Sequence, residues 1–118
     1  MLRTLREQEP AALRDLTFTI LEIGALPIEG EDVPFHHLVD IFPGSRIVAF
    51  EVDENLCAEL NDRARPGFQF HAAALGRTEE RRRFYQTADP MCSSLYPPNE
   101  ELLARYFNME SAILKNVT

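Results

Sequence analysis

The strongest constraint on this chain is an alternation of three short, β-branched apolar runs with two stretches whose apolar residues recur at helical spacing. The runs are Phe18-Thr19-Ile20-Leu21-Glu22-Ile23-Gly24, Ile47-Val48-Ala49-Phe50 and Phe68-Gln69-Phe70-His71-Ala72. Runs this short and this continuously apolar suit strands covered on both faces of a parallel sheet. Between the first two, Phe35, Leu38, Val39 and Phe42 fall on one helical face, with Asp32 placed to cap, Pro34 in the first turn and Pro43-Gly44 as the stop. Between the second and third, Asp53 caps a helix that turns Leu56, Cys57, Leu60 and Ala64 inward and ends at Pro66-Gly67. Strand, helix, strand, helix, strand predicts an α/β fold. Right-handed crossovers then set both helices on one side of a parallel sheet.

The flanks read differently. Leu2, Leu5, Leu13 and Leu16 punctuate a polar opening segment divided by Pro10, which predicts a broken amphipathic helical arm over residues 1–16 ahead of a domain over 17–118. After the third run, Ala74-Leu75 and Arg83-Phe84-Tyr85-Gln86 on either side of Gly76-Arg77-Thr78 suggest a hairpin. A polar turn from Asp89 to Ser94 follows, and Asn99 caps a helix expected over Glu100–Phe107. Lys115-Asn116-Val117-Thr118 offers no evident closing element.

Composition narrows the partners. The formal net charge is -7 and Lys115 is the single lysine, so no broad basic field exists to neutralise a phosphate backbone, which argues against nucleic acid. Arg81-Arg82-Arg83 directly follows Glu79-Glu80, and neighbouring opposite charges cancel. Cys57 and Cys92 match no metal-ligand spacing, and reduced thiols in a cytoplasm are the expectation. Neither a signal peptide nor a membrane span is expected, because charges interrupt the opening segment and no apolar stretch is long enough.

Ligands of such sheets bind outside the carboxyl ends of the strands. Those places hold Glu22-Ile23-Gly24-Ala25 and Glu51-Val52-Asp53. A glycine ending the first strand lets backbone approach a ligand, and an acid ending the second can accept hydrogen bonds from the ribose hydroxyls of an adenosine-containing cofactor. A purely structural role for Gly24 and Glu51 is the competing reading. The dinucleotide fingerprint G-x-G-x-x-G is missing, since Ala25, Leu26, Pro27, Ile28 and Glu29 separate Gly24 from Gly30. His36 and His37 are adjacent, so on a helix they diverge by about 100° and cannot chelate one ion together, and a surface role is expected for both. Ser93 and Ser94 lie in no nucleophile elbow, leaving turn capping or the lining of a substrate cleft.

Four stretches taken in order resemble the FkbM-type family of S-adenosylmethionine-dependent methyltransferases. Ile20-Leu21-Glu22-Ile23-Gly24-Ala25 resembles its first motif, and Val48-Ala49-Phe50-Glu51 the strand that ends in its ribose-binding acid. Ala73-Ala74-Leu75-Gly76 is similar to the Ala-Leu-Gly after its third strand, and Met91 to Asn99 to a serine-containing segment further on. The resemblance runs from about Thr17 to Asn99 and implies a Rossmann-like class I methyltransferase half-sheet. It implies that Glu22, Gly24 and Ala25 border the methionine part of S-adenosylmethionine, that Glu51 binds the ribose, and that Val52 and Ala74 lie near the adenine. Leu26 and Ile28 depart from the family, many of whose members carry Asn and then Gly there.

The implied activity is methyl transfer, with an oxygen of a sugar or natural-product intermediate as acceptor. No catalytic base and no metal ligand is identified. The family's later motif, a strand with an Asp followed by a Glu-Gly pair, has no counterpart up to Thr118, so the expectation is the N-terminal portion of a domain, inactive alone. The alternative is a module that binds an adenosine nucleotide or a protein partner without catalysis. Two further expectations follow from the resemblance. Glu51→Ala should weaken cofactor binding with little effect on folding, and the first strand should be an unpaired edge, with the chain self-associating through first-strand edges or by covering the open sheet face with the segment after Pro97.

Overall fold

The structure, a computed structural model, describes residues 15–27, 30–106, 108–109 and 112–118. The chain divides into two compact units, residues 1–75 and 76–118. Most of the helical arm expected over 1–16 lies outside the described residues.

The first unit is built on a parallel sheet of β1 (Thr19–Ile23), β2 (Arg46–Glu51) and β3 (Phe68–Ala72), in that spatial order. Thr19 pairs with Arg46 and Ile23 with Phe50, while Ile47 pairs with Phe68 and Glu51 with Ala72. The α/β organisation expected from the alternating runs is therefore present. A 3-10 turn (Pro34–His36) leads into the short helix α1 (His37–Ile41), and α2 (Glu54–Asp62) joins β2 to β3. Asp53 caps α2, its Oδ1 accepting from the amides of Asn55 (2.9 Å) and Leu56 (3.0 Å). Asp32 caps nothing. Val33 holds the N-terminal position without a side-chain hydrogen bond, and Pro34, which lacks an N–H, leaves one donor fewer to satisfy there. The carboxylate of Asp32 instead meets His37 Nε2 at 2.8 Å.

Side chains alternate across a strand, and the two faces of this sheet differ sharply. Ile20, Ile47, Ala49, Phe68 and Phe70 gather with Ala25 and Val39 into the core, where Ile47 and Ala49 are almost fully buried. The other face carries Leu21 and Ile23, 61% and 69% exposed, beside half-buried Val48 and Phe50. On that face the rings of Phe50 and His71 stack at 5.7 Å. Among the described residues, the runs that suggested strands covered on both sides are thus covered on one.

The second unit corrects the expected hairpin. Ala74 and Leu75 form no strand. β4 (Tyr85–Thr87) instead pairs antiparallel with β5 (Leu114–Val117), the closing element that the polar residues 115–118 did not suggest. With Lys115 and Asn116 exposed and only Leu114 half-buried, β5 has little apolar pattern from which to be read. Tyr85 and Ser94 exchange backbone hydrogen bonds of 2.8 and 3.0 Å, so β4 is flanked on both sides. Asn99 caps α3 through Leu102 N–H as expected, but α3 spans only Glu100–Leu103, because Ala104, Arg105 and Tyr106 close into turns.

Candidate functional site

The carboxyl ends of β1 and β2 meet through the backbone. Gly24 turns the chain out of β1 at φ +74°, and the N–H groups of Gly24 and Ala25 both donate to Phe50 carbonyl at 3.0 Å. That pair of hydrogen bonds fixes the end of β1 against the residue just before Glu51. Among the described residues, a Cβ added to Gly24 would meet nothing within 4 Å. Conformation, rather than crowding, is therefore what demands glycine here, and the space beside it is open. Ala25 then turns inward and is buried in the core.

Glu51 ends β2 on the helix-covered face and is only 7% exposed. Its Oε1 accepts the Asp53 N–H at 3.0 Å, so it anchors the residue that caps α2. Among the described residues Oε2 makes no hydrogen bond. A buried carboxylate with one oxygen engaged and one available is a strong acceptor, since charged acceptors form the shorter and stronger bonds. Its engagement with Asp53 gives Glu51 a structural role beside the cofactor role read from its place at the strand end. Val52 beyond it is half-buried, and Ala74, after β3, is exposed.

Glu22 lies one strand away on the same face, where its Oε2 meets His36 Nε2 at 2.8 Å. Both side chains are largely enclosed, 15% exposed for Glu22 and 24% for His36. The imidazole stands edge-on to Phe35 and to Phe68, each centroid 5.0 Å away. The surface role expected for His36 is thus overturned, while His37 is exposed and keeps one. Sequence reasoning asked only whether the two histidines could share a metal. The alternation that puts Glu22 on the face of Ile20, together with the helical spacing of His36, Val39 and Asp40, was the signal for a strand-to-helix pair. We expect His36→Leu, which keeps apolar volume against Phe35 and Phe68, to cost about 1–2 kcal/mol by leaving Glu22 without its partner. Urea unfolding followed by circular dichroism measures it, and an unchanged midpoint would show that the pair does not hold the 3-10 turn to the sheet.

Ser93 and Ser94 belong to the second unit, where both hydroxyls serve the local backbone. Ser93 Oγ accepts from Thr87 N–H and Ser94 Oγ from Tyr96 N–H, each at 3.2 Å. Arg82 lies over the Tyr96 ring at 5.2 Å and reaches Glu80 at 3.8 Å, in keeping with a locally balanced charge run. The same unit holds an open groove of about 300 Å³ lined by Glu100, Leu103, Ala104, Tyr106, Met109 and Ile113. Among the described residues none of those singled out as site candidates lines it, and its polar groups are the Glu100 carboxylate and the Tyr106 hydroxyl on otherwise apolar walls.

Cys57 is buried and Cys92 exposed, and both are free thiols. Among the described residues no three His, Cys, Asp or Glu side chains gather to hold a metal, and no helix is long and apolar enough to cross a membrane. Compared with protein-family models, curated proteins and solved structures, the chain matches none.

Proposed function

We propose that the first unit binds S-adenosylmethionine at the carboxyl ends of β1 and β2, as part of a Rossmann-like methyltransferase domain of the FkbM type acting on an oxygen of a sugar or natural-product intermediate. The observation that carries the reading is the convergence of Gly24 and Glu51: open space beside a positive-φ glycine, next to a buried carboxylate with an available oxygen. Gly24 and Ala25 would border the methionine part of the cofactor, Glu51 Oε2 would accept from a ribose hydroxyl, and Val52 and Ala74 would lie toward the adenine. The ribose end fits the residues present. At the methionine end, Glu22 already holds His36, so its second oxygen is what remains for an ammonium group.

When bound, the cofactor supplies an electrophilic methyl group on a sulfonium. Displacement at that carbon depends mainly on alignment, so the contribution of this chain is to fix the cofactor's position and exclude water. A cytoplasmic setting with reduced thiols accords with the two free cysteines.

A second reading keeps the fold and drops the chemistry. It is favoured by the structural work both carboxylates already do, Glu51 on Asp53 and Glu22 on His36, as expected of a module that binds an adenosine nucleotide or a protein without turnover. Isothermal titration with S-adenosylmethionine, its demethylated product and NAD separates the two. Heat with the first two and none with NAD supports the methyltransferase reading. Heat with NAD alone supports the nucleotide module, and silence with all three overturns both small-molecule readings.

A further inference from the structure

The helix-covered face of the sheet brings two carboxylates and one imidazole to the same end of the strands. Glu22 of β1 pairs with Ala49 of β2, and Glu51 stands two residues beyond Ala49 on the same face, so strand spacing sets the Cβ atoms of the two acids about 8 Å apart. The arginines of this unit that flank the sheet are committed elsewhere. Arg46 Nε donates to Thr19 Oγ1, Arg63 meets Glu59, and Arg65 holds both oxygens of Asp40 while its guanidinium lies over the Phe68 ring. The end of β1 is equally unsuited to an anion. Gly24 and Ala25 direct their N–H groups to Phe50 carbonyl, and the next helical turn begins at Pro34, which has no N–H to give. A phosphate is held by such donors, at a glycine turn or at the start of a helix.

We propose that His36 is a positioning residue for the ligand of this site: it fixes the Glu22 carboxylate through Oε2 and leaves Oε1 as the acceptor for a cationic group, which selects an adenosine bearing an ammonium or sulfonium over one bearing a phosphate. This inference rests on the cofactor site proposed above and names what chooses its ligand. A carboxylate only accepts, so the 2.8 Å contact makes His36 Nε2 the donor. The imidazole is itself held in place. It packs at right angles to the rings of Phe35 and Phe68, and Arg65 Nη2 donates to the His36 carbonyl at 3.5 Å. With Oε2 engaged the carboxylate cannot swing, and among the described residues Oε1 makes no hydrogen bond. An acceptor ordered before the ligand arrives loses less freedom on binding than a mobile one, so more of its charge-assisted bond appears as affinity. Two half-enclosed carboxylates at this separation attract a cation and repel a phosphate.

Isothermal titration of the full chain with S-adenosylmethionine, 5′-methylthioadenosine and adenosine 5′-monophosphate tests it. Methylthioadenosine keeps the adenosine and lacks both the ammonium and the sulfonium charge, while the monophosphate puts an anion in their place. The unaltered chain should bind the monophosphate about tenfold or more weaker than methylthioadenosine. His36→Leu should lower affinity for S-adenosylmethionine about tenfold or more and leave that for methylthioadenosine within about twofold, whereas a merely structural role would lower both alike. His36→Gln, whose side-chain N–H can stand in for Nε2, should restore most of the loss. Should His36→Leu fail to fold, Glu22→Gln carries the test. Its amide oxygen takes the His36 N–H and its NH2 replaces Oε1, so it should lose S-adenosylmethionine by about the same factor and keep methylthioadenosine. Silence with all three ligands in the unaltered chain removes the cofactor site and this inference with it. Binding of S-adenosylmethionine and methylthioadenosine that these variants lower equally or not at all, or a monophosphate bound as tightly as methylthioadenosine, leaves the site standing and overturns the inference.

Discussion

Gly67→Ala is expected to destabilise the protein by about 2–4 kcal/mol, through a left-handed backbone and a blocked Cβ acting together. Gly67 follows Pro66 in the turn that Arg65 carbonyl and Phe68 N–H close, and its φ of +92° is the value required at the third position of a type II turn. A Cβ there would stand 2.8 Å from Val39 Cγ1 and 3.3 Å from Ser45 carbonyl. Neither neighbour yields easily. Val39 is β-branched and packs on the core, and Ser45 is buried, its Oγ accepting from Phe18 N–H at 2.9 Å. Gly24→Ala is the internal control, since at φ +74° it suffers the conformational strain alone, with nothing among the described residues within 4 Å of the new methyl group. Urea midpoints should therefore fall further for Gly67→Ala than for Gly24→Ala. Equal losses would mean that Val39 and Ser45 move aside freely and that the turn, not its packing, sets the requirement for glycine.

That contrast shows what the sequence made legible. Local signals with a short physical range came through: Pro66-Gly67 as a turn, Asp53 and Asn99 as helix caps, and the apolar runs as strands of a parallel sheet. Each depends on a side chain meeting backbone two or three residues away, or on alternation within one element. Errors came where a partner was distant in sequence. β4 finds β5 across roughly 25 intervening residues, while the nearer Ala74-Leu75 stays unpaired, and nothing in Leu114-Lys115-Asn116-Val117 announces a strand. Asp32 could cap by its spacing, yet its carboxylate takes His37 instead, and α1 begins behind Pro34.

The candidate site was half legible in the same sense. Gly24 and Glu51 could be placed at adjacent strand ends because parallel pairing of consecutive strands brings equivalent ends together. What Glu51 touches could not be read, since a carboxylate two residues before Asp53 can equally face solvent or fold back onto its N–H. His36 was misjudged for a related reason. Burial of one helical residue depends on how closely the helix lies on the sheet, and here Phe35 and Phe68 enclose the ring that reaches Glu22.

Glu51→Gln is the substitution that separates the structural role of this carboxylate from the cofactor role proposed for it. The amide oxygen can keep the bond from Asp53 N–H, so folding should be preserved to within about 1 kcal/mol. The other terminal atom becomes an NH2 group, which donates where Oε2 would have accepted from a ribose hydroxyl. A hydrogen bond to a charged group contributes about 1.5–3 kcal/mol, so affinity for S-adenosylmethionine should fall roughly 10- to 100-fold. Glu51→Ala should show the same loss of affinity together with a stability loss of about 1–3 kcal/mol, because it strands the Asp53 N–H beneath the start of α2. Isothermal titration and urea unfolding on the same preparations supply both readouts. Affinity unchanged in Glu51→Gln, beside a measurable dissociation constant for the unaltered chain, would assign Glu51 to the β2–α2 turn alone and move the ribose elsewhere. Affinity lost in Glu51→Ala but kept in Glu51→Gln would say that the carboxylate acts on a cofactor only by holding that turn in place.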